Sequence, residues 1–218
     1  MKKDKINYSE YLEKVRARET ETTEWEQSKQ STLIFPDYYI KSNLKILDAV
    51  QELLNNEEET SKSIILAGSV GSGKTELARI IAASVIPARF RTDKNYRWCN
   101  TFELWNEVKK MYGSNFVDKG EAVSKLMEIT QFYILDDIGA EDETPASKSF
   151  VEQMILTAHK KFEQNRLKLL IITTNLGISD IEKRYSERVR SRIDEMSYYF
   201  SLRKQDYRKM KRRGVVEK

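Results

Sequence analysis

Apolar residues occur in two patterns, which alternate from about residue 40 to residue 200. Short unbroken apolar runs predict buried strands at 63–67, 96–99, 132–135 and 167–172, and 198–200 predicts an edge strand. Between them, apolar residues recur every three or four positions and predict helices at 40–54, 76–84, 101–112, 121–129, 148–162 and 180–196. Such alternation is typical of an α/β fold in which helices cover both faces of a parallel sheet.

The two ends of the chain differ from this pattern. Residues 1–34 form a charged arm, whose apolar side chains include four at helical spacing: Tyr8, Tyr11, Leu12 and Val15. The arm is too short to fold by itself, so a flexible tail and a helix that docks on a partner both remain open. We predict one α/β core at 35–210 and a basic tail at 211–218.

Charge is distributed unevenly along the chain. A third of the 218 residues are charged and 39% are hydrophobic, which is enough apolar content for one core. The formal net charge is +4, but from Lys183 to Lys218 thirteen Lys or Arg residues face five Asp or Glu residues. A basic end on a mildly acidic body suggests contact with a polyanion or an acidic partner, although a solvated helix face explains any single charge.

The chain has one cysteine, Cys99, and one histidine, His159. These cannot form a zinc site or an internal disulfide, and we expect Cys99 to pack on a strand and His159 to be structural or exposed rather than catalytic. No signal peptide opens the chain, and no apolar run approaches the length that spans a membrane. We therefore expect a protein without a membrane partner, in the cytoplasm of a bacterium or, if phage-encoded, of the host.

The segment Gly68–Thr75 fits G-x-x-x-x-G-K-[ST], the phosphate-binding P-loop. Its glycines let successive backbone N–H groups converge on phosphate oxygens, and the start of the following helix adds positive potential. A glycine-rich turn could match by chance, but the flanking strand and helix favour a nucleotide site. The predicted nucleotide-binding residues are Gly68, Ser69, Val70, Gly71, Ser72, Gly73, Lys74, Thr75 and Glu76.

Acidic and amide side chains follow two later strands. We predict that Asp136, with Thr75, holds Mg²⁺, and that Asp137 orients the attacking water. Asn175, after the next strand, is predicted to reach the γ-phosphate or that water, although an asparagine in a turn before Gly177 is the alternative.

Two arginines lie four residues apart in a basic helical segment. Arg188 and Arg192 therefore share one face, from which an arginine can complete the ATP site of a neighbouring subunit. A basic helix on nucleic acid or in water fits equally well when the segment is taken alone. Together with the other motifs, the arginine-finger hypothesis is favoured, with Arg192 ahead of Arg188.

The order GSVGSGKT, FYILDDIGAE, LIITTN and ERVRSRI resembles the initiator and helicase-loader branch of the AAA+ ATPases. It is most similar to replicative-helicase loaders of the DnaC/DnaI type, with IstB-type transposition helpers close by. The resemblance runs from about Phe35 to Arg208. It implies ATP and Mg²⁺ as cofactors, self-assembly on ATP into a spiral or partial ring, contact with single-stranded DNA, and delivery of a ring helicase through the N-terminal arm.

The chain departs from the common AAA+ pattern at both ends. About twenty-five residues follow Arg192, too few for a lid of several helices, so we expect a lid that is absent or minimal. Arg203 or Arg208 could replace the sensor-2 arginine that such a lid carries. The arm is also shorter than the helicase-binding domain of bacterial loaders, which suggests a phage, plasmid or mobile-element version.

The segment between the second and third strands is where the initiator branch places extra helical material. Here we predict phosphate contacts by Lys109 and Lys110, and we expect Trp105 to lie in the core.

Three functions remain open at this point. The leading hypothesis is a helicase loader with slow ATPase activity, stimulated by DNA or a partner, because Asp137 is shorter than the usual glutamate. A transposition helper acting on duplex DNA shares its chemistry and differs in partner. A non-catalytic adaptor that binds ATP and titrates a replication protein belongs to another class.

Overall fold

In the part of the chain that a computed structural model describes, the central sheet has five strands, all parallel. The structure describes residues 43, 45–46, 49–50, 63–79, 81–82, 96–112, 123–124, 127 and 132–202. The strands are β1 (Ser63–Ala67), β2 (Tyr96–Asn100), β3 (Phe132–Ile138), β4 (Leu169–Thr174) and β5 (Ser197–Ser201). Their order across the sheet is β2-β3-β4-β1-β5, so β4 lies between the strand before the P-loop and the strand that carries the two aspartates.

Helices connect the strands, as parallel pairing requires. Residues 74–79 and 81–82 are helical and form α1. The others are α2 (Thr101–Tyr112), α3 (Pro145–Glu163), α4 (Ile178–Arg184) and α5 (Glu187–Met196). Helical residues at 43, 45–46, 49–50, 123–124 and 127 fall inside two further helices that the sequence predicts.

Side chains of the central strands alternate between two apolar clusters, one on each face of the sheet. In β1, Ile64 and Leu66 enter one cluster with α1, whereas Ile65 enters the other, with α2, α3, α4 and α5. This alternation follows from the period of two in a strand. The predicted helix-covered parallel sheet is confirmed, and Trp105 and Cys99 are buried as expected.

The helix predicted at 180–196 is wrong, because this segment forms two helices. α4 ends at Arg184, and α5 begins after Ser186, whose side chain accepts a hydrogen bond from the N–H of Val189. Serine is a favoured N-cap residue because its oxygen satisfies one of the free N–H groups at a helix start. Ser186 was therefore the sequence signal for the break.

Smaller differences concern the ends of elements. β3 continues through both aspartates to Ile138, and β4 begins at Leu169 and reaches Thr174. α3 begins at Pro145, three residues earlier than predicted, because Thr144 caps it in a capping box with Ser147.

Predictions for the chain ends lie outside the described residues. These are the arm at 1–34, the tail at 211–218, the minimal lid, and the roles of Arg203 and Arg208. Within the described part of the chain, no helix is long and apolar enough to cross a membrane.

Candidate nucleotide-binding site

The loop after β1 has a backbone that only its glycines adopt easily. Gly71 and Gly73 have φ of 81° and 85°, in the left-handed region that disfavours other residues. A Cβ on Gly68 would lie 2.8 Å from Ser72 Oγ and 3.2 Å from Leu202 Cβ. The loop is therefore closed tightly at its start, and α1 begins directly after it, at residue 74.

Lys74 is folded back across this loop. Its Nζ donates to the carbonyl oxygens of Gly68 at 2.9 Å and Ser69 at 3.0 Å, and to Asn175 Oδ1 at 2.7 Å. The residue is only 5% exposed. The ammonium group thus lies between the P-loop and the end of β4, where the sequence predicts nucleotide phosphates.

Asp136 connects the P-loop helix with β3 and β4. Its Oδ1 accepts hydrogen bonds from Thr75 Oγ1 at 3.0 Å and Thr173 Oγ1 at 2.6 Å. Burial raises the pKa of Asp136 and a hydrogen bond from Thr173 opposes the rise, while the charge of Asp137 raises it further. The predicted pairing of Thr75 with Asp136 is present, and Thr173 is a contact that the sequence analysis missed.

Asp137 lies in an irregularity of β3. The Cα partners are Leu135 with Ile172 and Ile138 with Thr174, so three steps along β3 match two along β4. This is a β-bulge, and Asp137 has a φ of 57° within it. Bulges can redirect side chains beside active sites, which agrees with the position of both aspartates at the carboxyl edge of the sheet.

The residues at this edge fit ATP and Mg²⁺. Within the described chain, the hydroxyl of Ser72 is buried and has no hydrogen-bond partner, as expected for a group that faces a ligand. Hydroxyl and carboxylate oxygens, supplied by Thr75 and Asp136, are the ligands that Mg²⁺ prefers. Two other residues of the predicted nucleotide site lie at the surface of the loop and on α1. Val70 is 65% exposed, and Glu76 forms an ion pair with Arg79 at 3.1 Å.

The two arginines of α5 are not joined to this cluster by the described contacts. Arg188 is exposed, and Arg192 Nη1 donates to Glu195 Oε2 at 2.9 Å within the same helix. α5 packs on α3 and α4. The structure therefore brings together Lys74, Thr75, Asp136 and Asn175, and it leaves Arg192 paired on a helix surface.

His159 connects Arg192 to the core of the same subunit. The ring is buried, with Nε2 at 2.9 Å from Glu195 Oε2 and Nδ1 at 3.5 Å from Glu163 Oε2. Hydrogen bonds from Arg192 and then from His159 lower the pKa of Glu195. The imidazole lies between two carboxylates, and Glu195 also pairs with Arg192, so this cluster links Arg192 on α5 to α3.

A second network joins the loop after β3 to the junction between α4 and α5. Glu141 Oε1 accepts from Tyr185 Oη at 2.5 Å and from Arg184 Nε at 3.2 Å, and Oε2 accepts from the N–H of Gly139 at 2.9 Å. The carboxylate has no exposed surface. Burial lowers the pKa of Arg184, but the charge of Glu141 and the further interactions with Glu141 and Tyr185 together outweigh it, so the net shift is upward; burial also raises the pKa of Tyr185.

The lysines proposed for DNA lie on α2. Lys109 Nζ is 3.9 Å from Asp142 Oδ2 and 5.3 Å from the centre of the Trp105 ring. The Lys109 side chain is 42% exposed, whereas the side chain of Lys110 lies outside the described part of the structure. DNA contact at these positions remains a prediction.

Solved structures with the same fold include replication proteins. The chain matches a DnaC helicase loader with 23% identity and a TM-score of 0.56, over 74% of this chain and 90% of that one. It matches DnaI with 17% identity and a TM-score of 0.57, over 74% and 85%. It also matches the replication initiator DnaA bound to AMPPCP and single-stranded DNA, with 17% identity, a TM-score of 0.54, and 83% and 56% coverage.

At these identities the matches show the fold alone, and it is the helix-covered parallel sheet that the sequence predicted. The chain spans about half of the length of the DnaA structure. No protein-family model and no curated protein sequence matches the chain.

Proposed function

We propose that this protein is an ATP-hydrolysing DNA replication factor that assembles on ATP and loads a ring helicase onto single-stranded DNA. The observation that carries the proposal is the convergence of Lys74, Thr75, Asp136 and Asn175 at one edge of the sheet. The loaders and the initiator with the same fold support the replication role.

The residues of the site have different chemical roles. The N–H groups of Gly68–Thr75 and the ammonium of Lys74 bind the phosphates, and Thr75 and Asp136 hold Mg²⁺. Bound ATP supplies the phosphoryl group that is transferred to water, and Mg²⁺ offsets negative charge on it. Asp137 orients the water as a general base, and its short side chain suits slow turnover.

The site in one subunit has no arginine finger among its described contacts, so we assign that role to a second copy. The side chain of Arg192 is 38% exposed, and Arg188 lies one helical turn before it. A guanidinium placed at the γ-phosphate stabilises charge in the transition state. Assembly on ATP would therefore complete the catalytic site.

Light scattering after size exclusion, with phosphate release on the same samples, tests the proposal. Wild-type protein should form oligomers with ATP and Mg²⁺ and release phosphate, faster with single-stranded DNA. Lys74→Ala should remain monomeric and inactive, whereas Lys160→Ala, an exposed lysine on α3, should match the wild type. A fully active monomer would refute assembly, and an oligomer without phosphate release would favour the adaptor function.

The helicase partner is tested through the arm. A variant that lacks residues 1–34 should keep ATP binding and lose capture of a replicative helicase in a pull-down. If the truncated protein captures the helicase as well as the full chain does, loading through the arm is wrong. Capture of a transposase instead would favour the transposition helper.

A further inference from the structure

The bulge in β3 creates a local problem for hydrogen bonding. Asp136 and Asp137 both lie opposite Thr173, because β3 has one more residue than β4 between the paired positions. A bulge leaves one residue out of the regular ladder, and an unpaired N–H in a buried place is costly. The N–H of Asp137 donates instead to Thr173 Oγ1 at 2.9 Å, so the threonine hydroxyl replaces the missing strand partner.

The same hydroxyl also binds the carboxylate of Asp136. A threonine hydroxyl has one proton, and it accepts here from an N–H group. Its proton is therefore directed to Asp136 Oδ1, at 2.6 Å. Thr173 has no exposed surface, so water does not compete for this proton.

Asp136 is thus fixed from two sides. Thr75 reaches Oδ1 from α1 and Thr173 reaches the same oxygen from β4. Thr75 is itself expected to serve Mg²⁺, whereas Thr173 is committed to the two aspartates. Within the described part of the chain, Thr173 lies directly before Thr174 in β4, and its hydroxyl contacts both the side chain of Asp136 and the backbone N–H of Asp137.

We propose that Thr173 is a positioning residue of the ATPase site, which sets the place of Asp136 for Mg²⁺ and of Asp137 for water. The inference rests on the proposed function, because it assigns Thr173 a role only if this edge binds ATP and Mg²⁺. It adds a residue that does not touch the nucleotide to the set on which metal-dependent binding depends.

The neighbouring threonine supplies a matched control. Thr174 is equally buried in the same strand, and its hydroxyl donates to the carbonyl of Ile138 at 2.7 Å and accepts from the N–H of Leu176. Both of its partners are backbone groups, and neither is a carboxylate. Replacing Thr174 by valine removes a buried hydroxyl beside the bulge, as Thr173→Val does, but leaves the hydrogen bond between Thr173 and Asp136 in place.

The test compares ATP affinity in Mg²⁺ and in EDTA, by calorimetry on the full chain. We call the ratio of ATP affinity in Mg²⁺ to ATP affinity in EDTA the Mg²⁺ enhancement. Thr173→Val should keep the affinity in EDTA within about twofold of the wild type. Its Mg²⁺ enhancement should be about tenfold smaller, which is the effect of one charge-assisted hydrogen bond. Thr173→Ser keeps the hydroxyl and should match the wild type. Thr174→Val should lower the melting temperature as Thr173→Val does, but keep the Mg²⁺ enhancement.

Three results would overturn the inference while the proposed function stands. The first is an unchanged Mg²⁺ enhancement in Thr173→Val. The others are a loss of Mg²⁺ enhancement in Thr174→Val or in Thr173→Ser that is as large as the loss in Thr173→Val. If wild-type protein binds no ATP under either condition, the proposed function fails and the inference fails with it. Should Thr173→Val not fold, Thr173→Cys replaces it, since a thiol is a weak donor. The cysteine variant should show a partial loss, and full Mg²⁺ enhancement in it would contradict the proposal.

Discussion

Asn175 contacts the ammonium group of Lys74, a role that differs from the predicted contact with the γ-phosphate. Its Oδ1 holds Nζ at 2.7 Å, beside two carbonyl oxygens of the loop. A long lysine side chain loses about 2 kcal/mol of rotamer entropy when it is ordered. Because Lys74 is already ordered by these contacts, less of that loss remains for nucleotide binding.

Replacing Asn175 by alanine should therefore affect turnover more than binding. Lys74 keeps its two carbonyl partners, so ATP affinity should fall no more than about threefold, whereas turnover should fall about 10- to 100-fold because the Lys74 ammonium is no longer held by Asn175 in the position that stabilises charge in the transition state. Single-turnover phosphate release and equilibrium binding on the same variant measure both. Asn165→Gly is the control, because Asn165 has a φ of 53° that glycine adopts freely and lies in the turn before β4. Unchanged turnover in Asn175→Ala would contradict the role.

Single residues of the site differed in how well the sequence predicted them. Lys74, Thr75 and Asp136 follow from motif spacing, since a glycine-rich loop before a helix and an acid after a strand have few other uses. Thr173 was not predicted, because threonine is a common strand residue and its role arises from a bulge. β3 has no glycine to signal the bulge, and its aspartates, which tolerate a left-handed backbone, are equally explained as acidic residues of the site.

At the scale of elements, Glu141 joins the loop after β3 to the start of α5. Its carboxylate binds Arg184 and Tyr185, the last residue of α4 and the residue that follows it. Arg184 also reaches the carbonyl of Glu141 at 2.6 Å and Glu143 at 2.5 Å. The loop after the aspartate strand is therefore connected by one ion pair with a buried carboxylate to the end of α4, which directly precedes the arginine helix α5.

Arg184→Ala should lower the free energy of unfolding by about 3–5 kcal/mol, because it leaves a buried carboxylate without its cation. Urea unfolding measures this change. Lys183→Ala is the matched control on the same helix, since Lys183 is 79% exposed and 3.9 Å from Asp180. Its effect should stay below about 1 kcal/mol, as for other surface pairs. Equal effects of the two variants would mean that the buried pair contributes little.

Elements were predicted best where burial dominates. β1 and the central parts of β3 and β4 are continuous apolar runs, and such runs have few alternatives in a two-faced sheet. The split between α4 and α5 was missed because apolar spacing continues across it: Ile181, Tyr185, Val189 and Ile193 are all buried. A periodic pattern does not distinguish one helix from two that pack on the same face.

At the scale of the whole molecule, the strand order unites residues from three distant parts of the chain. β4 pairs with β1 on one side and β3 on the other, so the P-loop, Asp136 and Asn175 meet at one edge. Arg192 lies on a helix that packs on α3 and α4 and pairs with Glu195. This placement is the reason why we propose that Arg192 acts at the γ-phosphate of a second copy of the chain.

Mixing two inactive variants should restore activity. Arg192→Ala keeps its P-loop and binds ATP, whereas Lys74→Ala is monomeric alone but keeps its arginine, so the two variants together can form an interface with one complete site. In an equal mixture half of the subunits bind ATP, and half of those sites meet an intact arginine, so roughly a quarter of wild-type phosphate release should return.

Two controls accompany the mixing experiment. The double variant Lys74→Ala/Arg192→Ala should not rescue Arg192→Ala, since it has no intact arginine to contribute. Arg190→Ala, on the same helix but paired with Asp194 at 2.6 Å, should be active alone. If the mixture of single variants stays inactive while each still binds its partner, Arg192 does not act across the interface.

The junction between α5 and β5 has no loop. α5 ends at Met196, β5 begins at Ser197, and the N–H of Leu202 just after β5 donates to the carbonyl of Ala67, the last residue before the P-loop. The path from the arginine helix to the start of the phosphate loop therefore consists of a covalent segment without a loop and one hydrogen bond. In the proposed spiral or partial ring, a force that a neighbour exerts on Arg192 would be transmitted to the P-loop of the same subunit, and so from one ATP site to the next.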